Sequence, residues 1–167
     1  MNQQDSGTPA LQQQSARTKV ILAPVDFSAT TDRVLREAAA LARTLGGKVV
    51  VINVTEPTTG VVDYAAIVVA VAQVNEAAVK FSVERLGQLV EMLKGDGVQA
   101  ESMHLTGTPV SEIIEQASKL PADYIVMGSH GHTAFYDLLV GGTAHGVLKR
   151  ATCPVVIVPP PADDERE

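Results

Sequence analysis

The sequence predicts an α/β domain built on a single doubly wound, five-stranded parallel sheet with helices on both faces, and three features carry that expectation. Apolar runs alternate with segments of helical periodicity along most of the chain. Most of those runs are near-continuous in Val, Ile, Leu and Ala rather than alternating, as strands buried on both faces are. Hydrophobic residues make up 46% of the chain while aromatics are only 4% and Trp is missing, so the core has to be assembled from aliphatic side chains. A chain of 167 residues has the size of one domain, burying roughly two thirds of its unfolded surface, and leaves no room for a second catalytic one.

The first strand, 19–24, is apolar after Lys19 and ends at Pro24. Ser28 or Thr30 then caps a helix whose apolar positions Val34, Ala38, Leu41 and Leu45 recur at spacings of four, three and four, and Gly46-Gly47 ends it. Residues 48–54 form a Val-rich buried strand. Beyond a loop at 57–60, a long helix is carried by Val79, Val83, Leu86, Val90 and Leu93 and stops at Gly95-Asp96-Gly97. The mixed polarity of 98–105 marks an edge strand. Thr108-Pro109 reads as cap and first helical position, with Val110, Ile113, Ile114 and Ala117 facing inward. Residues 123–127 give the fourth strand, and a short helix through Val147 and Leu148 leads to the last, 154–158. Right-handed crossovers between such units produce a doubly wound sheet, whose ligands collect at the carboxyl ends of the strands. The Gln- and Ser-rich residues 1–17 and the proline-acidic residues 159–167 are expected to be disordered tails around an ordered domain at 18–158.

Charge and composition narrow the function. Formal net charge is −6, and Asp163, Asp164, Glu165 and Glu167 less Arg166 account for −3 of it. No Lys/Arg cluster interleaved with aromatics offers a nucleic-acid face. The most apolar stretch, 65–72, is far shorter than the about 20 residues of a membrane helix, and reads equally as helix core or as a partner-covered surface. With a lone Cys153 and no signal-peptide pattern at the amino end, the expected location is the cytoplasm. Cys153 itself reads as a buried, inert thiol. His130 and His132, with His104 and His145, lack the ligand spacing of a zinc site, so no metal centre is expected. Neither Gly-x-x-x-x-Gly-Lys-Ser/Thr nor Gly-x-Gly-x-x-Gly occurs.

The pattern that carries chemistry follows the fourth strand. Gly128-Ser129-His130-Gly131-His132 runs on to Gly141-Gly142-Thr143, which opens a helix. Glycines let backbone amides approach a phosphate, and a helix amino end adds unpaired N–H donors and a favourable dipole. Any one of these glycines is also an ordinary turn residue; their joint position after a buried strand favours phosphate. Asp26, at the tip of the first strand, either accepts a hydrogen bond from an adenine amino group or ribose hydroxyl or caps the next helix.

The run Val20-Ile21-Leu22-Ala23-Pro24-Val25-Asp26-Phe27-Ser28, the spaced glycines and Ala151-Thr152-Cys153-Pro154-Val155-Val156-Ile157-Val158 together resemble the universal stress protein family. The resemblance implies strand order 3-2-1-4-5, adenine-nucleotide binding and dimerisation through the last strand, Val155, Val156, Ile157 and Val158. Carried over by position, it sets the base against Pro24, Val25, Asp26 and Val54 with Met127 and Gly128 nearby, the ribose and phosphates against His130 and Gly131, and the outer phosphates against Gly141, Gly142, Thr143 and Ala144. The nucleotide-binding branch usually carries Ser or Thr where this chain has Gly142 and Ala144. Two hydroxyl donors are therefore missing, each worth about 0.5–1.5 kcal/mol, which shifts the expected ligand from ATP, with or without Mg2+, towards AMP or ADP. The implied role lies in stress response or signalling, with no catalytic residues assigned. Its rivals are a nucleotide-free dimeric interaction module and a slow ATP hydrolase or autokinase modified at Ser129, Thr133 or Thr143.

Overall fold

A computed structural model describes residues 17–56, 65–129 and 141–160. Within them the chain runs β1 (Lys19–Pro24), α1 (Thr31–Leu45), β2 (Gly47–Thr55), α2 (Ala65–Gly95), β3 (Gln99–Thr106), α3 (Pro109–Lys119), β4 (Tyr124–Gly128), α4 (Gly142–Arg150) and β5 (Val155–Val158). The five strands pair in parallel in the order β3-β2-β1-β4-β5. This is the doubly wound sheet that the continuous apolar runs predict.

Two aliphatic layers hold it together. On one face α1 and α2 close over Ile21, Ala23, Val49, Val51 and Val126. On the other, α3 and α4 close over Leu22, Val50, Ile52, Ile125 and Met127. Neighbouring residues of one strand therefore feed opposite cores, which is why the runs show no polar alternation. No residue of the edge strand β3 is buried, and at the other edge β5 is half-buried up to Val158.

The helix boundaries have local causes. Gly46 sits in the left-handed region (φ 64°) and its N–H returns to Ala42 O, closing α1. Gly47 is already the first residue of β2, so only one of the paired glycines ends the helix. Thr30 is the N-cap residue of α1 and Thr108 that of α3, but neither side chain makes a capping hydrogen bond. On α1, Val34 and Ala38 are buried as expected, whereas Leu41 is half-buried and Leu45 exposed. On α2 the expected inward face is partly displaced. Leu86, Val90 and Leu93 are buried, but Val83 is 53% exposed and Val79 only half-buried, while Ser82 and Leu89 face inward. The stripe that meets the sheet follows positions 82, 86, 89 and 93, so Val83 falls beside it at the helix's 3.6-residue turn. The packing of 65–72 lies outside the described side chains.

At the opposite end of the sheet from the strand tips, Asp123 ties the chain together. Its side chain, 11% exposed, accepts from Arg17 Nη1 (2.9 Å) and Nη2 (2.8 Å), Lys19 Nζ (3.0 Å) and the Val20 N–H (2.9 Å). Arg17, grouped with the amino-terminal tail on sequence, is thereby attached to the domain. Burial works to raise the Asp123 carboxyl, but the Val20 N–H and the Lys19 and Arg17 cations outweigh it and hold it below the usual carboxylate range. A carboxyl lowered on folding contributes stability that is complete above its unfolded pKa of about 3.9 and lost as pH falls through the folded value. Asp123→Asn is therefore expected to cost about 1–2 kcal/mol at pH 7, with both cations partly exposed, and to lose less stability than wild type between pH 4 and pH 2. Urea unfolding at a series of pH values measures both effects; parallel acid limbs for the two proteins would contradict this assignment.

Candidate ligand-binding site

In this strand order the chain leaves β1 towards one edge and β4 towards the other, so the loops beyond their carboxyl ends diverge and open a crevice. A cavity of about 460 Å³ occupies it, within the range of small-molecule sites. Its walls include Pro24, Val25 and Asp26 from the end of β1, Ile52 and Val54 from β2, Pro109 and Ile113 from α3, Met127 and Gly128 from β4, and Gly141, Gly142, Thr143 and Ala144 at the start of α4. Ten of the twelve residues singled out on sequence thus line one hollow. The other two, His130 and Gly131, lie outside the described residues, as do His132 and Thr133.

The β1 tip is fixed by two hydrogen bonds to β2. The Val25 N–H donates to Ile52 O (2.8 Å), and the buried Asn53 donates from Nδ2 to Val25 O (2.8 Å). Asn53 was not singled out on sequence, although a lone amide inside the run Val49-Val50-Val51-Ile52-Asn53-Val54 is the kind of buried polar group that needs a partner. Asp26 follows, exposed, with Oδ1 accepting the Ser28 N–H at 3.1 Å. Asp26 therefore closes a turn ahead of α1 and borders the cavity, while the N-cap position of α1 falls to Thr30 and not to Asp26. Between Asp26 and Ser28, Phe27 takes φ 61°, a conformation that costs a bulky residue about 1–3 kcal/mol. Its ring meets Phe81 of α2 edge to face, with centroids 5.9 Å apart and planes at 88°. Nearby, Ser28 Oγ and Thr31 Oγ1 are buried without a hydrogen-bond partner, and both residues belong to the cavity wall.

The glycine-rich side departs from expectation in one respect. The Gly141 N–H donates to Ser129 O (2.7 Å), and the Ser129 N–H to Val158 O (2.8 Å), so Ser129 links Gly141 to β5 and the Gly141 amide is already used. The amides of Gly142, Thr143 and Ala144, in the first turn of α4, have no partner within the helix and are the donors left to face an anion. Thr143 is exposed and Ala144 buried. A side chain added at Gly142 would meet nothing within 4 Å.

The cavity's charge is acidic. Asp26 and Glu56 are its charged lining residues, and among the described residues no Lys or Arg lines it. Arg33, in the first turn of α1, donates instead to Pro160 O at 2.7 Å. Among the described residues no three His, Cys, Asp or Glu side chains gather as a metal site, and no helix is long and apolar enough to cross a membrane. His104 shares a 2.9 Å hydrogen bond with Thr55 Oγ1 away from the cavity wall, and burial lowers its pKa. Cys153 is half-buried rather than fully so, and that burial raises its thiol pKa, which keeps it protonated and weakly reactive.

An open parallel sheet in the order β3-β2-β1-β4-β5 defines a doubly wound α/β domain, and the hollow lies at its switch point. Within that class the chain belongs to the universal stress protein family, whose sequence model matches residues 17–159. A universal stress protein of Methanocaldococcus jannaschii is 28% identical over 156 residues, covering 86% of this chain and 96% of the relative. The solved structure of that protein shares the fold with a TM-score of 0.76 at 23% identity, covering 89% of this chain and all (100%) of the other. Universal stress protein A homolog 1 of Coxiella burnetii is 33% identical over 149 residues, or 84% of this chain and 95% of the relative. A universal stress protein of Archaeoglobus fulgidus, solved in complex with dAMP, superposes with a TM-score of 0.58 at 25% identity, covering 84% of this chain and 96% of the other.

Proposed function

We propose that this chain binds an adenine nucleotide in the crevice between β1 and β4 and serves in stress response or signalling without being a conventional enzyme. The observation that carries the reading is one hollow lined together by an acidic strand tip, Asp26, by the amino end of α4, and by the apolar Ile52, Val54, Ile113 and Met127. A flat heteroaromatic base suits the apolar walls, a hydroxyl or amino group suits Asp26, and a phosphate suits the helix end. The dAMP-bound relative from Archaeoglobus fulgidus supports the same class of ligand. Pro24, Val25, Asp26 and Val54 are assigned to the base with Met127 and Gly128 nearby, and His130 and Gly131 to the ribose and phosphates. Gly141 to Ala144 close the outer end, with Mg2+ accompanying ATP. The unit that does this spans 18–158, pairs with a second copy along the β5 edge, and works in the cytoplasm.

Calorimetric titration of nucleotide-stripped protein with ATP, ADP and AMP tests the reading. Saturable heat from at least one of them is expected, and silence from all three at millimolar concentration overturns it. Sedimentation of the same sample tests the dimer, which a purely monomeric profile at micromolar concentration would remove.

The second reading, a nucleotide-free dimeric module, is favoured by one feature: Gly142 and Ala144 bring no hydroxyl to the outer end of the hollow. Because the space around Gly142 is open, Gly142→Ser restores one donor without a clash. It is expected to tighten Mg2+–ATP binding about two- to tenfold, the worth of one neutral hydrogen bond. An unchanged ATP affinity in that variant, with AMP bound normally, would move the outer phosphates away from α4.

A further inference from the structure

Asp26 and Ser28 both line the cavity, while Phe27 between them does not. Phe27 itself takes a left-handed backbone (φ 61°), and the Ser28 N–H reaches across it to Asp26 Oδ1. A phenylalanine does not hold such a conformation by its own preference; the surroundings have to impose it. Part of the restraint is the aliphatic layer beneath α1, against which Phe27 is half-buried. The other contact is Phe81, whose ring presses edge to face on Phe27 although Phe81 itself is 60% exposed and lies on α2, outside the cavity.

We infer that Phe81 is a positioning residue for the ligand-binding site, aiming Asp26 through the strained Phe27. The inference rests on the nucleotide reading of the cavity for its effect on affinity, but its structural half stands without any ligand. Without the Phe81 ring, Phe27 relaxes towards the ordinary backbone regions, the Asp26–Ser28 turn loosens, and the carboxylate is held less firmly at the cavity wall. An edge-to-face pair contributes enough to shift affinity about two- to tenfold when all of it is spent on the bound geometry.

The test uses the full chain and two readouts. In the ligand-free protein, the Ser28 amide resonance is expected to shift and broaden in Phe81→Ala and to return in Phe81→Tyr, which keeps the ring. With AMP as the probe, Phe81→Ala is expected to bind about two- to tenfold more weakly, and Phe81→Tyr as wild type does. In a Phe27→Gly background, where glycine adopts the left-handed turn without a ring to press on, Phe81→Ala is expected to change neither readout further. An unmoved Ser28 amide in Phe81→Ala overturns the inference whether or not AMP binds, and so does an equal effect of Phe81→Ala in both backgrounds. A shifted amide with unchanged AMP affinity overturns its functional half. If wild type ignores AMP while the amide still shifts, the positioning of Asp26 is supported and the nucleotide reading is what fails.

Discussion

Val54→Trp is expected to abolish adenine-nucleotide binding, at least a hundredfold or about 2.7 kcal/mol, while leaving the melting temperature close to wild type's. Val54 sits near the carboxyl end of β2, half-buried, with its side chain on the layer that also holds Ile52 and Met127. It lies beyond the stretch paired with β1, which ends at Ile52, and its one strand partner is Leu105 on the edge strand. An indole at this position has room to turn into the hollow of about 460 Å³, where it takes the place of a flat base. The fold loses little, because the residue fills empty space instead of displacing packed side chains, the opposite of forcing volume into a closed core. Val54→Ala is the control: it leaves the hollow open and is expected to weaken binding only by the apolar contact it removes. Full AMP affinity in Val54→Trp would place the ligand somewhere other than the β1–β4 crevice.

How far the sequence reveals this site follows from which forces act locally. The continuous runs 19–24 and 48–54 signal strands buried on both faces, because every position along them meets one of two aliphatic layers. The glycines at 128 and 141–142 and the acid at 26 could be joined to one edge by topology alone, since the switch point brings the β1 and β4 tips together. Features set by tertiary contact were not legible. Nothing in the residue type marks Phe27 as left-handed, a conformation held in place by Phe81 more than fifty residues away. The use of the Gly141 amide by Ser129 O depends on where Ser129 is held, through its own N–H, on Val158 O of β5. On α2, counting forward from Val79 sets the stripe through Val83; the true stripe is fixed by contact with the sheet, which selects Ser82 and Leu89. Asn53 reads as one polar residue in an apolar run until its bond to Val25 O shows that it holds the β1 tip.

Without a divalent cation, ATP is expected to bind at least tenfold more weakly than AMP at low salt, and added Mg2+ to narrow the gap while leaving AMP unchanged. The reason lies in what the carboxyl edge lacks. The segments that follow β1, β2, β3 and β4, residues 25–30, 56–64, 107–108 and 129–141, contain no Lys or Arg, yet they include Asp26, Glu56, Asp63 and Asp137. Sites for highly charged phosphate tails ordinarily recruit such cations. Here the donors are backbone amides and a helix end, which supply partial charges only. ATP brings about two more negative charges than AMP; against two carboxylates at separations on the order of 10 Å in water, the four added repulsions amount to about 1.7 kcal/mol, or roughly fifteenfold. Salt near 0.15 M screens beyond about 8 Å, so the difference should shrink as ionic strength rises. Titrating both nucleotides in EDTA and then in Mg2+, at low and at physiological salt, separates these contributions. Equal affinities in EDTA at low salt would mean that a cation within the loops neutralises the tail, and the only side chains there able to become one are His130 and His132. That alternative carries its own signature, because ATP binding would then weaken as pH rises from 6 to 8, through the range where histidine loses its charge.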